Sequence, residues 1–289
     1  MKITVLSGGV GGARFLRGVR ENLQSQPADH EMTAVLNVGD GMWLAGLRIT
    51  SDLDSIMYTL AGENDEVRGW GRVGESERVS AGAEGVRRRL GWFTLGDLYI
   101  STHLTRTSYL RDGIPLSEAT ARITARWPLG VRLLPATDQE VETHVVTAQR
   151  TMHFQEWWTR YRAALPALAF EHHGIESAVA APGVLEAIAA ADVVVLASNP
   201  VVSIDPILAI PGIRSALLST AAPVVGVADH FRGRGARDGQ RLPQPDQSAH
   251  GRGCCDATRR GRQAGSSTAG SSTSQMPHSP PPSRPRVSQ

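Results

Sequence analysis

The chain is 289 residues long, enough for one large or two small domains, with 41% apolar residues and a formal net charge of +2. That balance gives no electrostatic footprint for nucleic acid or an anionic membrane surface, and no apolar run reaches the length of a bilayer span. The two cysteines, Cys254 and Cys255, are adjacent, which excludes both a disulfide framework and a metal knuckle.

Met1-Lys2-Ile3-Thr4-Val5-Leu6 enters a strand directly, with no signal-peptide architecture, and a cytoplasmic protein is expected. After this first strand, Lys2 to Ser7, the stretch Gly8-Gly9-Val10-Gly11-Gly12-Ala13-Arg14 leads into a helix over Phe15 to Leu23. Gly8, Gly9, Gly11 and Gly12 would leave backbone N–H groups and a helix dipole facing an anion, a phosphate cradle. It is not a P-loop, because no Gly-Lys-Ser/Thr follows, nor a dinucleotide fingerprint, because Arg14 stands where Gly or Ala is required.

The apolar run Thr33 to Val38 stops at Gly39-Asp40, as a buried strand stops at a sheet edge. Ser51-Asp52 then opens a helical pattern, Leu53, Ile56, Met57 and Leu60, with Ser51 or Asp52 as its N-cap. Asp40 and Asp52 thus stand at the mouths of neighbouring elements, where a Mg²⁺ ion would find its one or two carboxylates. Read from spacing alone, Asp40 is equally a turn residue and Asp52 a cap.

A helix over Ala81 to Leu90 precedes Thr102-His103-Leu104-Thr105-Arg106-Thr107, where His103 and Arg106 share a helix face. Arg106 could clamp a phosphate or simply pair on the surface. Leu116 to Trp127 reads as a helix, and Val131 to Leu134 and Glu142 to Ala148 as strands. The run His153-Phe154-Gln155-Glu156-Trp157-Trp158 offers rings either for stacking on a flat ligand or for core packing. Helix Val184 to Ala191 feeds the apolar strand Asp192 to Ala197, which ends at Ser198-Asn199-Pro200. Polar residues past a buried parallel strand mark the ligand crevice of a doubly wound sheet. The expected fold is α/β, a doubly wound, Rossmann-like, mostly parallel sheet with helical insertions. Composition breaks near Val227: from Ala228 to Gln289 the larger apolar side chains are Phe231, Leu242, Met276 and Val287, and disorder is expected. The expected division is a core, residues 1–227, and a tail, residues 228–289.

Residues 1–227 resemble the 2-phospho-lactate transferase family of coenzyme F-420 biosynthesis, described in high-GC bacteria as a phosphoenolpyruvate transferase. The motifs are the loop Gly8 to Arg14, Asn37-Val38-Gly39-Asp40, Asp52-Leu53-Asp54 with Tyr58-Thr59-Leu60, and Gly69-Trp70-Gly71. Leu95-Gly96-Asp97, Thr102-His103 with Arg106-Thr107, Pro135 with Asp138, His153 to Glu156 and Ser198 to Ser203 follow in order. The resemblance implies a guanosine diphosphate ester of lactate or enolpyruvate as donor and the ribityl alcohol of the deazaflavin Fo as acceptor, with GMP released. It implies that Asp40 and Asp52 are catalytic, holding Mg²⁺, and that the glycine loop, Asn37, Asp54, Ser198 and Asn199 bind substrate. Thr102, His103 and Arg106 would lie near the deazaflavin or the reacting phosphate, and His103 and Asp54 are chemical candidates for the base. Oligomeric state is left open, a homodimer being one option.

The chain departs from the family where Gly41 replaces a second acid, Thr50-Ser51 replaces Cys-Pro, Leu98-Tyr99 replaces Arg-Asp, and a Pro before Ser198 is deleted. Read from each second base, the codons of Ala228 to Phe231 allow Pro-Ile-Ile and those of Arg237 to Gln240 allow Gly-Met-Ala, both of which the family carries there. A frameshift near residue 227 is expected, with the tail out of frame, the C-terminal part of the domain missing and activity low. The alternatives are a non-catalytic nucleotide-sugar-binding regulator of similar fold, or the inactive product of a frameshifted gene.

Overall fold

The computed structural model describes residues 1–83 and 92–227. The expected tail, and most of the helix expected over Ala81 to Leu90, lie outside the described residues.

The chain opens with β1 (Lys2–Ser7), α1 (Gly9–Gln24) and β2 (Glu31–Leu36). A hairpin of β3 (Met42–Leu44) and β4 (Leu47–Ile49) intervenes before α2 (Ser51–Ala61). Then come α3 (Arg78–Ala83), α4 (Asp97–Arg111), α5 (Leu116–Thr124) and β5 (Arg132–Pro135). An antiparallel sheet follows, in the order β7-β6-β8, from β6 (Glu142–Val146), β7 (Thr151–His153) and β8 (Ala169–His173). The described chain closes with α6 (Val184–Ala189), β9 (Val193–Ala197), α7 (Asp205–Ala209), α8 (Ile213–Ser219) and β10 (Val224–Val227).

The principal sheet has the order β10-β9-β1-β2-β5, and every neighbouring pair is parallel. The chain starts at the centre, winds out to β5, then crosses to β9 and β10 on the other side. The reversal falls between β1 and β9, the place where a doubly wound sheet opens a crevice beyond its strand ends. Both faces are covered over β1 and β2, while β10 at the edge is exposed. Ile3, Val5, Met32, Ala34 and Leu36 face a core with Leu16 of α1 and the apolar side of α2. Leu6, Val35 and Leu134 face the other, with Val184, Ile188, Ile207 and Ile213. This two-sided burial is why β1 reads as a continuous apolar run instead of alternating. The expected doubly wound α/β sheet is therefore present. The insertion after β5 is not helical alone, since it carries the antiparallel sheet.

Helix α2 differs at its start from the expected cap. Thr50 is the N-cap and makes no side-chain capping bond, while Asp52 lies within the first turn. Burying Leu53, Ile56, Met57 and Leu60 contributes roughly 2 kcal/mol each, against about 1 kcal/mol for a cap. Packing fixes this helix, which leaves Asp52 free for another partner. At the far end Gly62 adopts φ +72°, and its N–H bonds the Thr59 carbonyl. No single described helix is long and apolar enough to cross a membrane.

Candidate active site

The loops after β1 and β9 meet at the reversal point and are laced together by hydroxyls. Ser7 Oγ donates to the Ala197 carbonyl at 2.8 Å, and Ser198 Oγ donates to the Gly8 carbonyl at 2.5 Å. Asn199 Oδ1 accepts from the N–H groups of Val201 and Val202, shaping the turn that follows. Gly9 has φ +67°, open to glycine but strained for other residues. Gly8 and Gly12 are required by close approach instead. A Cβ at Gly8 would overlap Asp52 Oδ2 and sit 2.9 Å from Ser203 Cβ, and one at Gly12 would overlap Ser7 Oγ. Gly9 and Gly11 line the cleft described below, at the N-terminus of a 16-residue helix.

Asn37, immediately past β2, organises the acidic residues. Its Oδ1 accepts from Gly39 N–H at 2.8 Å, while its Nδ2 donates to Asp52 Oδ2 at 2.9 Å and to the Val202 carbonyl at 3.3 Å. One side chain thus joins the ends of β2, α2 and the loop after β9. Asp40 is buried, and its Oδ2 accepts from Asp52 N–H at 2.8 Å and from Gln155 Nε2 at 3.2 Å. Its Oδ1 is buried with no hydrogen-bond partner. Burial, then the neighbouring Asp52 charge, raises the Asp40 pKa well above the ordinary carboxyl range. Burial raises Asp52 to about 6, with bonds from Asn37, Asp40 and Gly9 N–H pulling it back.

Two adjacent carboxyls whose negative charges oppose each other, one with a free buried oxygen, form a donor set suited to Mg²⁺, which needs only one or two protein carboxylates. Among the described residues no cluster of three or more His, Cys, Asp or Glu side chains is arranged to hold a metal. The absence of an acid at position 41 fits the local space: a Cβ on Gly41 would lie 3.0 Å from the carbonyls of Val38 and Ile49.

A cleft of about 850 Å³ starts at Gly9, Asp52 and Ser198 and continues between aromatic walls. Trp70, Trp92, Phe93, Phe154 and Trp158 are among those walls. Both readings of the run His153 to Trp158 are met, since Phe154 and Trp157 join a small core and also line the cleft. Trp157, 6% exposed, donates Nε1–H to the Leu165 carbonyl and packs with Val145, Met152 and Phe170. Trp158, 57% exposed, faces the cleft and stacks at 21° on Phe154, with centroids 6.0 Å apart. The Gly69-Trp70-Gly71 and Leu95-Gly96-Asp97 motifs wrap one buried carboxylate. Glu75 accepts from the N–H groups of Arg72 and Tyr99, and a Cβ on Gly71 or Gly96 would overlap it.

Thr102, His103 and Arg106 are not at the cleft, contrary to expectation. They are buried on α4, which packs against β4 and α5, and Thr102 and Arg106 reach Tyr58 and Asp54 of α2. Arg106 bonds both carboxylate oxygens of Asp54, and Thr102 Oγ1 accepts from Tyr58 O–H at 2.7 Å. Burial works against charge on Arg106, but Asp54 outweighs it and holds the guanidinium pKa up. Burial, then the Arg106 charge, pushes His103 well below the usual imidazole range. Asp54 is buried as well, so neither candidate base opens to the cleft. A polar helix interior three residues apart gave no sign of a partner 52 positions upstream. Gln155, the donor to Asp40, and Tyr58 and Tyr99 in the cleft wall had no role assigned from sequence. Their only signal was membership of shared motifs or, for Tyr99, a departure from one.

Residues 3–251 match the family model described as 2-phospho-L-lactate transferase CofD, past the residue 227 at which the resemblance was expected to stop. The chain is 51% identical over 249 residues to a phosphoenolpyruvate transferase of Mycolicibacterium smegmatis, covering 82% of this chain and 76% of that one. It is 50% identical to one from Nocardia farcinica, covering 82% and 72%. It is 48% identical to one from Mycobacterium tuberculosis, covering 78% and 73%. Among solved structures, protein BH3568 from Bacillus halodurans superposes with a TM-score of 0.54 at 18% identity, covering 78% of this chain and 68% of that one, a likeness of fold alone.

Proposed function

Because the chain belongs to the 2-phospho-L-lactate transferase family, we propose that it moves a phospholactyl or phosphoenolpyruvyl group from a guanosine diphosphate-linked donor to Fo in coenzyme F-420 biosynthesis, releasing GMP. The observation that carries this reading is the pair Asp40 and Asp52 beside the glycine loop, with Asp40 Oδ1 buried and unpartnered. The alcohol oxygen of Fo bonds to the phosphorus bearing the lactyl or enolpyruvyl group, the phosphorus–oxygen bond to GMP breaks, and the alcohol proton is lost. Negative charge grows on the phosphoryl oxygens and on the leaving GMP.

The Gly11 N–H, backed by the α1 dipole, would meet that charge without reorganising, the Gly9 N–H being engaged by Asp52. Asp40 and Asp52 would hold a Mg²⁺ ion, which supplies neutralisation of the diphosphate charge. Gly8 lets the Asp52 carboxylate lie against the loop backbone, and Asn37 fixes its orientation. Trp158 and Phe154 would stack on the flat deazaflavin and leave its polar chain toward the carboxylates.

The test is release of GMP when the chain is incubated with Fo, a guanylyl-linked lactate or enolpyruvate donor and Mg²⁺. Release dependent on all components supports the transferase. Donor binding without GMP release, persisting when the reading frame after residue 227 is restored, points instead to the nucleotide-sugar-binding regulator.

A further inference from the structure

His153 closes β7 and bridges two segments distant in sequence. Its Nε2 lies 3.1 Å from the Gly41 carbonyl, and its Nδ1 lies 3.0 Å from Gln155 N. A carbonyl only accepts and a backbone N–H only donates, so the partners dictate a neutral ring with its proton on Nε2. Burial, opposed by Glu142, lowers the His153 pKa and favours that neutral form. Gln155, whose backbone is thereby held, donates its side-chain amide to Asp40 Oδ2. The same ring grips the residue directly after Asp40 through the Gly41 carbonyl.

We propose that His153 is a positioning residue that acts through Gln155 to aim Asp40. Asp40 Oδ2 receives two donors, Asp52 N–H from α2 and the Gln155 amide from the segment after β7. These occupy one oxygen from two directions and leave Oδ1 buried without a partner. Without Gln155 the carboxyl could rotate about its terminal torsion, which is intrinsically broad. The antiparallel sheet then has a purpose besides carrying aromatic side chains. It brings a rigid imidazole from position 153 against the turn at position 41, 112 residues earlier in sequence. Outer-shell partners of this kind commonly tune ligand affinity by about 10- to 100-fold.

The inference rests on the assignment of Asp40 to the metal–phosphate site, and the experiment separates the two. Mn²⁺ is titrated into the full chain and followed by electron paramagnetic resonance, for the unaltered protein and for Asp40→Asn, Gln155→Ala, His153→Phe and the Gln155→Ala/His153→Phe double variant. The expected result is affinity about 10-fold weaker in each of the last three, with the double variant no worse than the weaker single because both lie on one path. His153→Asn, which keeps an acceptor for Gln155 N–H, is expected to recover part of the loss, whereas a general packing defect would not be relieved by the smaller residue. Unchanged affinity in His153→Phe alongside loss in Asp40→Asn overturns the positioning role, as do additive losses. Affinity indifferent to Asp40→Asn overturns the metal assignment itself. If His153→Phe does not fold, ¹⁵N spectra of the imidazole in the unaltered chain decide: Nε2–H protonation supports the bridge and Nδ1–H protonation overturns it.

Discussion

Arg106 of α4 and Asp54 of α2 form a bidentate ion pair in which neither side chain reaches solvent. The pair lies next to the helix turn that carries Asp52, so it fixes the base of the candidate site without entering it. Arg106→Met would leave a buried carboxylate without its counter-charge, at a cost of about 3–5 kcal/mol. The double variant Asp54→Leu/Arg106→Met should regain most of that loss. Urea melts of the two variants measure it, and a mild effect of Arg106→Met alone would contradict the pairing.

Asp40→Asn and Asp52→Asn each remove a carboxyl from the proposed metal–phosphate site. Turnover should fall by on the order of 100- to 1,000-fold in either variant, with donor affinity largely kept because the glycine loop is untouched. Chelation of divalent cations should mimic the loss in the unaltered chain and leave the variants little changed. Steady-state GMP release with and without chelator tests both statements.

The pH dependence follows from the raised carboxyls. Burial raises the Asp52 carboxyl from its ordinary 3.8 to about 6 in the folded chain, and burial with the Asp52 charge raises Asp40 well above its ordinary value too. The folded state therefore holds protons that the unfolded chain has released. Its stability without metal should be greatest below about pH 4 as far as these groups decide it, and should decline as pH rises through 6. Divalent cations compete with those protons, so Mg²⁺ should raise the melting temperature more at pH 8 than at pH 5. Asp52→Asn should flatten both trends in thermal melts across that range.

Two glycines of the first loop and helix should respond oppositely to alanine. At Gly8 the added carbon overlaps Asp52 Oδ2 and crowds Ser203 and Asn37. Gly8→Ala should cost about 1–3 kcal/mol and most of the activity. Gly18, in the middle of α1, has nothing within 4 Å of the same atom. Gly18→Ala should stabilise by roughly 0.5–1 kcal/mol with turnover unchanged. Paired denaturation and activity measurements check the contrast.

The adjacent tryptophans make a second contrast. Trp157→Ala empties a packed core and should cost about 3–5 kcal/mol. Trp158→Ala removes a cleft wall with more than half its surface exposed, so stability should hold while KM for Fo rises several-fold. A rise in donor KM instead would reassign that wall to the nucleotide.

The inner strands were readable because β1 and β9 are continuous apolar runs that stop at Gly8 and Ser198, and β2 is one that stops at Asn37. Lys2 to Ser7 matches β1 at both ends, and Asp192 to Ala197 misses β9 by one residue. The three-residue strands β3 and β4 were not readable, since Met-Trp-Leu and Leu-Arg-Ile are too short to establish any period. Asp40 and Asp52 could be expected near each other because both follow element ends at one sheet edge. Arg106 was misplaced because a buried guanidinium and a phosphate clamp share the same local pattern, and only a distant carboxylate distinguishes them. Gln155 met the same obstacle, its partner being 115 residues away.

The bond between Ser198 and Gly8 spans 190 residues of chain. A ribosome must therefore release everything up to the end of β9 before the glycine loop acquires its opposite bank. A fragment that ends before β9 lacks Ser198, Asn199 and Ser203, so this bank of the cleft can close only once translation has passed that point.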